Sequence, residues 1–320
     1  MITASLTQEL YLLERYSSIE YFGQLVQAWR NFVLHNEECL DRYMQNLPAD
    51  LRRKPLPEQA DVAWGEHVLP NFRSTLERVQ TGYQLLQAGD LKGLSYSWGP
   101  LNDAKGQVDF DNDWMTPEEL QRYWDLLGDA TLLATNIEAT TDAAWNPGAL
   151  SYDYLAVDRG ALNAPEQWPR YQVVREPVLE TGQPIQHSGL YIPDLPHSCA
   201  QFLNARTRTA APRATVLTGH EDLHDPITGE KYAEQPEYAQ MACKWVRVIR
   251  IADDGNMPVP QDAGHTTQRI AAGERCLCSG FYFTPARENS RRLFTQGDLM
   301  PDFGSQYGHT IWQWDERQDA

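Results

Sequence analysis

No run of uncharged apolar residues approaches the ~18 that a membrane-spanning helix requires, so no transmembrane helix is expected. Positive charge is also scarce: 27 Lys and Arg stand against 44 Asp and Glu, for a formal net charge of -17. That balance disfavours nucleic acid and anionic membranes as direct partners and suits a basic protein. Cysteine is sparse and irregular. Cys39, Cys199, Cys243, Cys276 and Cys278 form an odd set without the spacing of a secreted disulfide framework, and buried reduced thiols are expected. The opening Met1-Ile2-Thr3-Ala4-Ser5-Leu6 has neither the basic region nor the apolar core of a secretory signal, which predicts a cytoplasmic protein.

Recognisable catalytic motifs are missing too. Neither a P-loop nor a G-x-G-x-x-G fingerprint occurs, and Gly93-Leu94-Ser95-Tyr96-Ser97 misses the nucleophile elbow because Ser97 stands where Gly is required. His220-Glu221-Asp222-Leu223-His224 does match H-E-x-x-H. The match needs a stable helix, however, and Gly219 on one side and Asp225-Pro226 on the other leave too little room, so a loop is expected. Cys276-Leu277-Cys278 is too closely spaced for a usual zinc pair and reads as one face of a strand. His197-Ser198-Cys199 has no activating context. Asp109-Phe110-Asp111-Asn112-Asp113-Trp114 opens like a calcium loop, but Trp114 replaces the required Gly and Leu120 the bidentate Glu. No catalytic residue, cofactor or bound metal is therefore expected.

What the 320 residues do contain is a change of texture partway along. The first half reads as helices. Ser17-Ser18-Ile19-Glu20 has the form of a capping box, with Phe22, Leu25, Val26, Trp29, Phe32, Val33, Leu40, Tyr43 and Met44 following at helical spacing. A proline-bounded basic connector ends at Pro57. A second helical stretch runs from about Glu58 to Ala88, with Pro70 expected to kink or divide it and Gly89 to close it. A third begins at Thr116-Pro117-Glu118-Glu119 and runs to about Thr140. Beyond Asn146-Pro147-Gly148 come short β-branched and aromatic runs: 171–174, 189–192, 214–217, 245–251, 280–283 and 310–314, with a short helix over 236–243. This order predicts an α+β protein: a helical region over 1–148, then a mostly antiparallel, strand-rich region over 149–320.

That second region holds a weak internal duplication. Ser188-Gly189-Leu190-Tyr191-Ile192 reappears as Ser279-Gly280-Phe281-Tyr282-Phe283, and each copy reaches an apolar pair at the same offset, Phe202-Leu203 and Leu293-Phe294. The units 188–203 and 279–294 read as scaffold, and Tyr191, Tyr282, Trp312 and Trp314 as buried. The surface segment with most functional character is acidic. Asp103, Asp109, Asp111, Asp113, Glu118 and Glu119, interleaved with Phe110 and Trp114, have the composition of a face that meets a basic partner.

Ser279-Gly280-Phe281-Tyr282-Phe283-Thr284-Pro285, Asn289-Ser290-Arg291-Arg292, Met300-Pro301-Asp302 and Tyr307-Gly308-His309-Thr310-Ile311-Trp312-Gln313-Trp314-Asp315 together resemble the immunity proteins of bacterial polymorphic toxin systems, those catalogued as immunity proteins 71 and 72. Gly189-Leu190-Tyr191-Ile192-Pro193-Asp194, Cys199-Ala200-Gln201-Phe202-Leu203 and the start around Tyr16-Ser17-Ser18 fit the same pattern. The resemblance implies a non-enzymatic protein encoded beside a secreted toxin, often a type VI secretion effector, which it binds and neutralises in the cytoplasm. It implies no catalytic residues. The acidity favours a basic toxin domain such as a nuclease or a nucleotide-targeting enzyme. Two other readings remain open: a zinc-dependent hydrolase using His220, Glu221 and His224, and a small-ligand-binding regulatory module with its pocket between the helical and strand-rich parts.

Overall fold

The computed structural model describes residues 3–251, 269–276, 279–284, 287, 290–295, 297–303 and 310–315. Seven α-helices among these are α1 (Ala4–Tyr16), α2 (Ile19–Gln45), α3 (Ala60–Val62), α4 (Leu69–Gln87), α5 (Trp98–Gly106), α6 (Pro117–Thr141) and α7 (Ala156–Arg159). Antiparallel strands follow, so the chain is α+β with its helices first. It forms two compact units. Residues 6–150 and 154–251 make up the larger; 3–5, 151–153 and the described residues from 269 onward make up the smaller.

The helix boundaries follow from local chemistry. Ser18, not Ser17, caps α2, accepting the Tyr21 N–H, because Ser17 bonds back to the Leu13 carbonyl at the end of α1. Pro70 has no N–H for the preceding turn. The chain meets this with a wide π-helical turn over Ala63–Val68 that runs directly into α4, so the proline divides the second stretch without breaking it. Gly89, at φ +81°, ends α4, its N–H bonding the Leu86 carbonyl while Asp90 N–H reaches that of Leu85. Thr116 and Glu119 close a full capping box at the start of α6.

The apolar stripe of α2 is buried from Phe22 to Leu40, whereas Tyr43 is half-buried and Met44 exposed. Around Phe72 of α4, the rings of Trp29, Phe32 and Trp64 meet with Tyr123 of α6 beyond, in edge-on and tilted contacts that favour aromatic pairs. The 3-10 segment Leu91–Ser97 presses against α4 so closely that a Cβ on Gly93 would lie 2.2 Å from the Gly82 carbonyl oxygen.

The larger unit contains β1 (Arg170–Glu180), β2 (Gly189–Pro193), β3 (Gln201–Leu203), β4 (Ala214–His224), β5 (Lys231–Met241) and β6 (Lys244–Ile251). Four of them form an antiparallel sheet in the order β1-β6-β2-β3, while β4 and β5 pair as a separate hairpin. Helices grip the β3 end of the sheet. Trp145 stacks on Tyr16 and donates to Thr140 Oγ1; its carbonyl accepts Gln201 Nε2 and Cys199 Sγ. Asn204 Nδ2 bonds the Leu91 carbonyl, and Arg206 pairs with Asp90.

In the smaller unit β7 (Arg269–Ala271), β8 (Gly280–Phe283), β9 (Arg292–Phe294) and β10 (Ile311–Trp314) form a second antiparallel sheet in the order β7-β10-β8-β9. This repeats the first sheet strand for strand: first, fourth, second, third, with the β4–β5 hairpin inserted between third and fourth in one copy. The correspondence reaches individual groups. Gly182 and Gly273 take φ +87° and +89° in the turn after the first strand, and their N–H groups bond the carbonyls of Ala211 and Met300. Trp245 and Trp312 are both fully buried and donate Nε1–H to the carbonyls of Pro212 and Pro301. The two cores also match: Ile185, Tyr191, Leu203, Ala211 and Trp245 stand where Cys276, Tyr282, Phe294, Met300 and Trp312 stand. The short Ser-Gly-x-Tyr echo is therefore the visible part of a duplicated four-stranded sheet.

Two local expectations change. The segment 236–243 is not helical: most of it lies in β5, where Tyr238 pairs with Leu217 and Ala239 with Val216, because an adjacent strand meets its backbone groups. The histidine motif is not a loop but the outer part of β4. Cys276 is buried in the core of the second sheet, while Cys278 and Leu277 lie outside the described residues.

Candidate functional site

The six acidic residues singled out by sequence divide into two groups. Asp109, Asp111, Asp113 and Glu118 are exposed and form no ion pair among the described residues. The turn that carries them is firmly held. Asp111 accepts the Asp113 N–H on its own side chain and the Trp64 indole N–H on its carbonyl, and Trp114 packs edge-on against Trp64 and Tyr43. Thus Trp114 turns inward and the carboxylates outward. Such a pre-ordered edge loses little conformational freedom on meeting a partner.

Asp103 is buried and Glu119 half-buried, and both are engaged with neighbouring helices. Asp103 is buried on α5 and accepts Asn71 Nδ2 at 2.7 Å; burial raises its pKa, against the hydrogen bonds it receives. Glu119 accepts a two-pronged contact from Arg42, at 2.5 and 2.6 Å, and the Thr116 N–H. Burial works to raise the Glu119 pKa, but the Arg42 guanidinium and the Thr116 N–H outweigh it and hold the carboxyl below its ordinary range. Arg42, held by Glu119, also donates to the Trp114 carbonyl and so braces the acidic edge from behind, whereas Asp103 ties α5 to α4.

A second acidic surface, not anticipated as such, is the β4–β5 hairpin. Residues 218–241 carry six carboxylates (Glu221, Asp222, Asp225, Glu230, Glu234 and Glu237) against the single Lys231. Lys231 pairs with Asp222 and Glu234; the other four make no ion pair among the described residues. Ile227, Tyr232 and Tyr238 are exposed between them. At its root the hairpin is fixed by buried Ala214 and Val216 and by the Leu217 N–H to the His197 carbonyl. Its signal in the sequence is a local excess of negative charge around the two histidines.

The strand geometry also decides what those histidines can do together. Four residues along a strand span roughly 13 Å, against about 6 Å for one turn of helix, so His220 and His224 cannot share one metal ion at ~2 Å bond lengths. Among the described residues no group of three His, Cys, Asp or Glu side chains is placed to hold a metal. At Cys39 and Cys199 burial disfavours the reactive thiolate. Burial, then the nearby Glu119, pushes Cys39 up to about 12, and burial with Glu9 drives Cys199 well above its ordinary value. Ser198 donates to the Leu195 carbonyl and Cys199 to that of Trp145, a structural use of the His197-Ser198-Cys199 run. No helix among the described residues is long and apolar enough to cross a membrane.

Compared with protein families, curated proteins and solved structures, the chain matches none.

Proposed function

We propose that this protein is an immunity protein that binds a basic antibacterial toxin domain in the cytoplasm and blocks its active site. The observation that carries the reading is the acidic edge at 109–118, where four exposed carboxylates stand on a turn locked by Trp64, Trp114 and the Arg42–Glu119 pair. A toxin that acts on nucleic acid or nucleotides needs a basic substrate site, and an ordered acidic edge is its electrostatic complement. The β4–β5 hairpin adds carboxylates beside exposed Tyr232 and Tyr238, and tyrosine is a residue enriched at binding hot spots. A standard interface of ~1,600 Å² would draw on one of these surfaces or both.

The reading predicts a toxin gene encoded beside this one, and is tested by co-expressing the two. Growth protection and a stoichiometric complex are expected; cells killed despite soluble, folded protein would overturn it. Within the complex, Asp109→Lys, Asp113→Lys and Glu118→Lys together should slow association severalfold at low salt and little at high salt. An unchanged association rate would remove the edge from the interface.

A further inference from the structure

The duplicated sheet differs at one interior position in a way that opens a cavity. On β10, Trp314 pairs in register with Tyr282, is buried, and meets that tyrosine ring at 5.0 Å between centroids. The matching pair in the first sheet is Arg247 opposite Tyr191. An indole fills this position in one copy, and a guanidinium replaces it in the other. Beside it, β1 bulges: Val174 pairs with Arg247 and Leu179 with Trp245, so residues 175–178 of β1 face Val246 alone. The result is a pocket of about 420 Å³, in the range that takes a small organic molecule.

The pocket wall is apolar along Val178, Leu179 and Pro184 and polar at Gln183, His187 and Arg247. Tyr191 is already used, its hydroxyl donating to the His187 carbonyl at 2.8 Å. Arg247 is not. Its side chain forms no hydrogen bond or ion pair among the described residues, and its Nε is buried with no acceptor although the residue as a whole is only half-buried. A buried N–H donor with nothing to receive it costs stability, and an acceptor from outside the chain would satisfy it. The acceptor that suits a guanidinium fork is a carboxylate or a phosphate.

We propose that this pocket binds a small organic anion, with its carboxylate or phosphate on Arg247 and its apolar body against Val178, Leu179 and Pro184. The site is independent of toxin binding: Arg247 belongs to neither acidic surface. Isothermal titration of the full-length protein with phenyl phosphate, benzoate and neutral benzamide tests it. Saturable binding of at least one anion is expected, with benzamide at least ~10-fold weaker, and the tighter anion identifies the head group. Arg247→Gln should weaken the anion at least ~10-fold. Val178→Trp, at an exposed position on the bulge, should fill the cavity and abolish binding while the unfolding midpoint stays put, which keeps the test decisive if Arg247→Gln fails to fold. No saturable binding of either anion at 10 mM, equal binding of benzamide, or undiminished binding to folded Val178→Trp would each overturn the proposal.

Discussion

The two sheets of this chain share strand order, turn glycine, buried tyrosine and a tryptophan tied to a proline carbonyl, yet they have diverged in what surrounds that frame. The interior of the second sheet holds Trp312, Trp314, Tyr282 and Phe294 in edge-on contacts. The first sheet keeps one tryptophan, replaces the other with Arg247, bulges β1 and inserts a hairpin of two 11-residue strands. A duplicated scaffold thus keeps the groups that hold it together in both copies, while one copy is free to gain a cavity and a projecting acidic arm.

The sharpest way to break the comparison is to remove the shared tryptophan from each copy. Trp245→Ala and Trp312→Ala delete fully buried indoles and their hydrogen bonds to Pro212 and Pro301, and each should cost about 3–5 kcal/mol. Urea unfolding with limited proteolysis reads both, because a two-unit chain need not melt in one step. Equal losses would support equivalent roles. If only Trp245→Ala destabilised, the second sheet would be a looser copy than its packing indicates.

A gentler matched pair is Gly182→Ala and Gly273→Ala. Both glycines occupy the left-handed region, and an added Cβ would meet nothing within 4 Å at either, so the cost is conformational alone. About 1 kcal/mol is expected for each in chemical denaturation. A loss at one position only would mean that the two turns do not carry the same strain, despite their matching φ values.

How much of this was legible in the sequence depended on whether the signal was local. Helix starts were: Thr116 and Glu119 interact three residues apart, and Pro70 and Gly89 act on the turns they interrupt. The strands at 189–192, 245–251 and 280–283 carried their own β-branched and aromatic pattern. The duplication showed only as Ser, Gly and Tyr, because its remaining matches, such as Pro212 with Pro301, join residues far apart whose spacing the inserted hairpin disturbs. Pairing overrode local preference at 236–243, where β4 supplies hydrogen bonds that no helix is needed to make. At the acidic edge, sequence found the exposed carboxylates but could not separate out Asp103 and Glu119, since their roles depend on Asn71 and Arg42 from other helices. Arg247 gave no signal at all; its isolation is defined by the neighbours it lacks.

The smallest effect on stability, and the most informative about divergence, should come from cutting the hairpin back. Replacing residues 220–236 with Asn-Gly would join Gly219 to Glu237, which already face each other across β4 and β5, through a turn that suits two twisted strands. Nearly everything removed is exposed, so little apolar burial is lost. The root keeps Ala214, Val216 and the Leu217 bond to His197. An isolated two-stranded arm is itself marginal in water, and its removal should shift the unfolding free energy by less than ~1 kcal/mol. The same variant loses Tyr232 and five of the six hairpin carboxylates, so weaker capture of a basic toxin with unchanged folding would mark the arm as an interaction device added to one copy of an old sheet. A loss of more than ~2 kcal/mol would instead make it part of the structural frame, and the two copies would then differ in how they fold as well as in what they present.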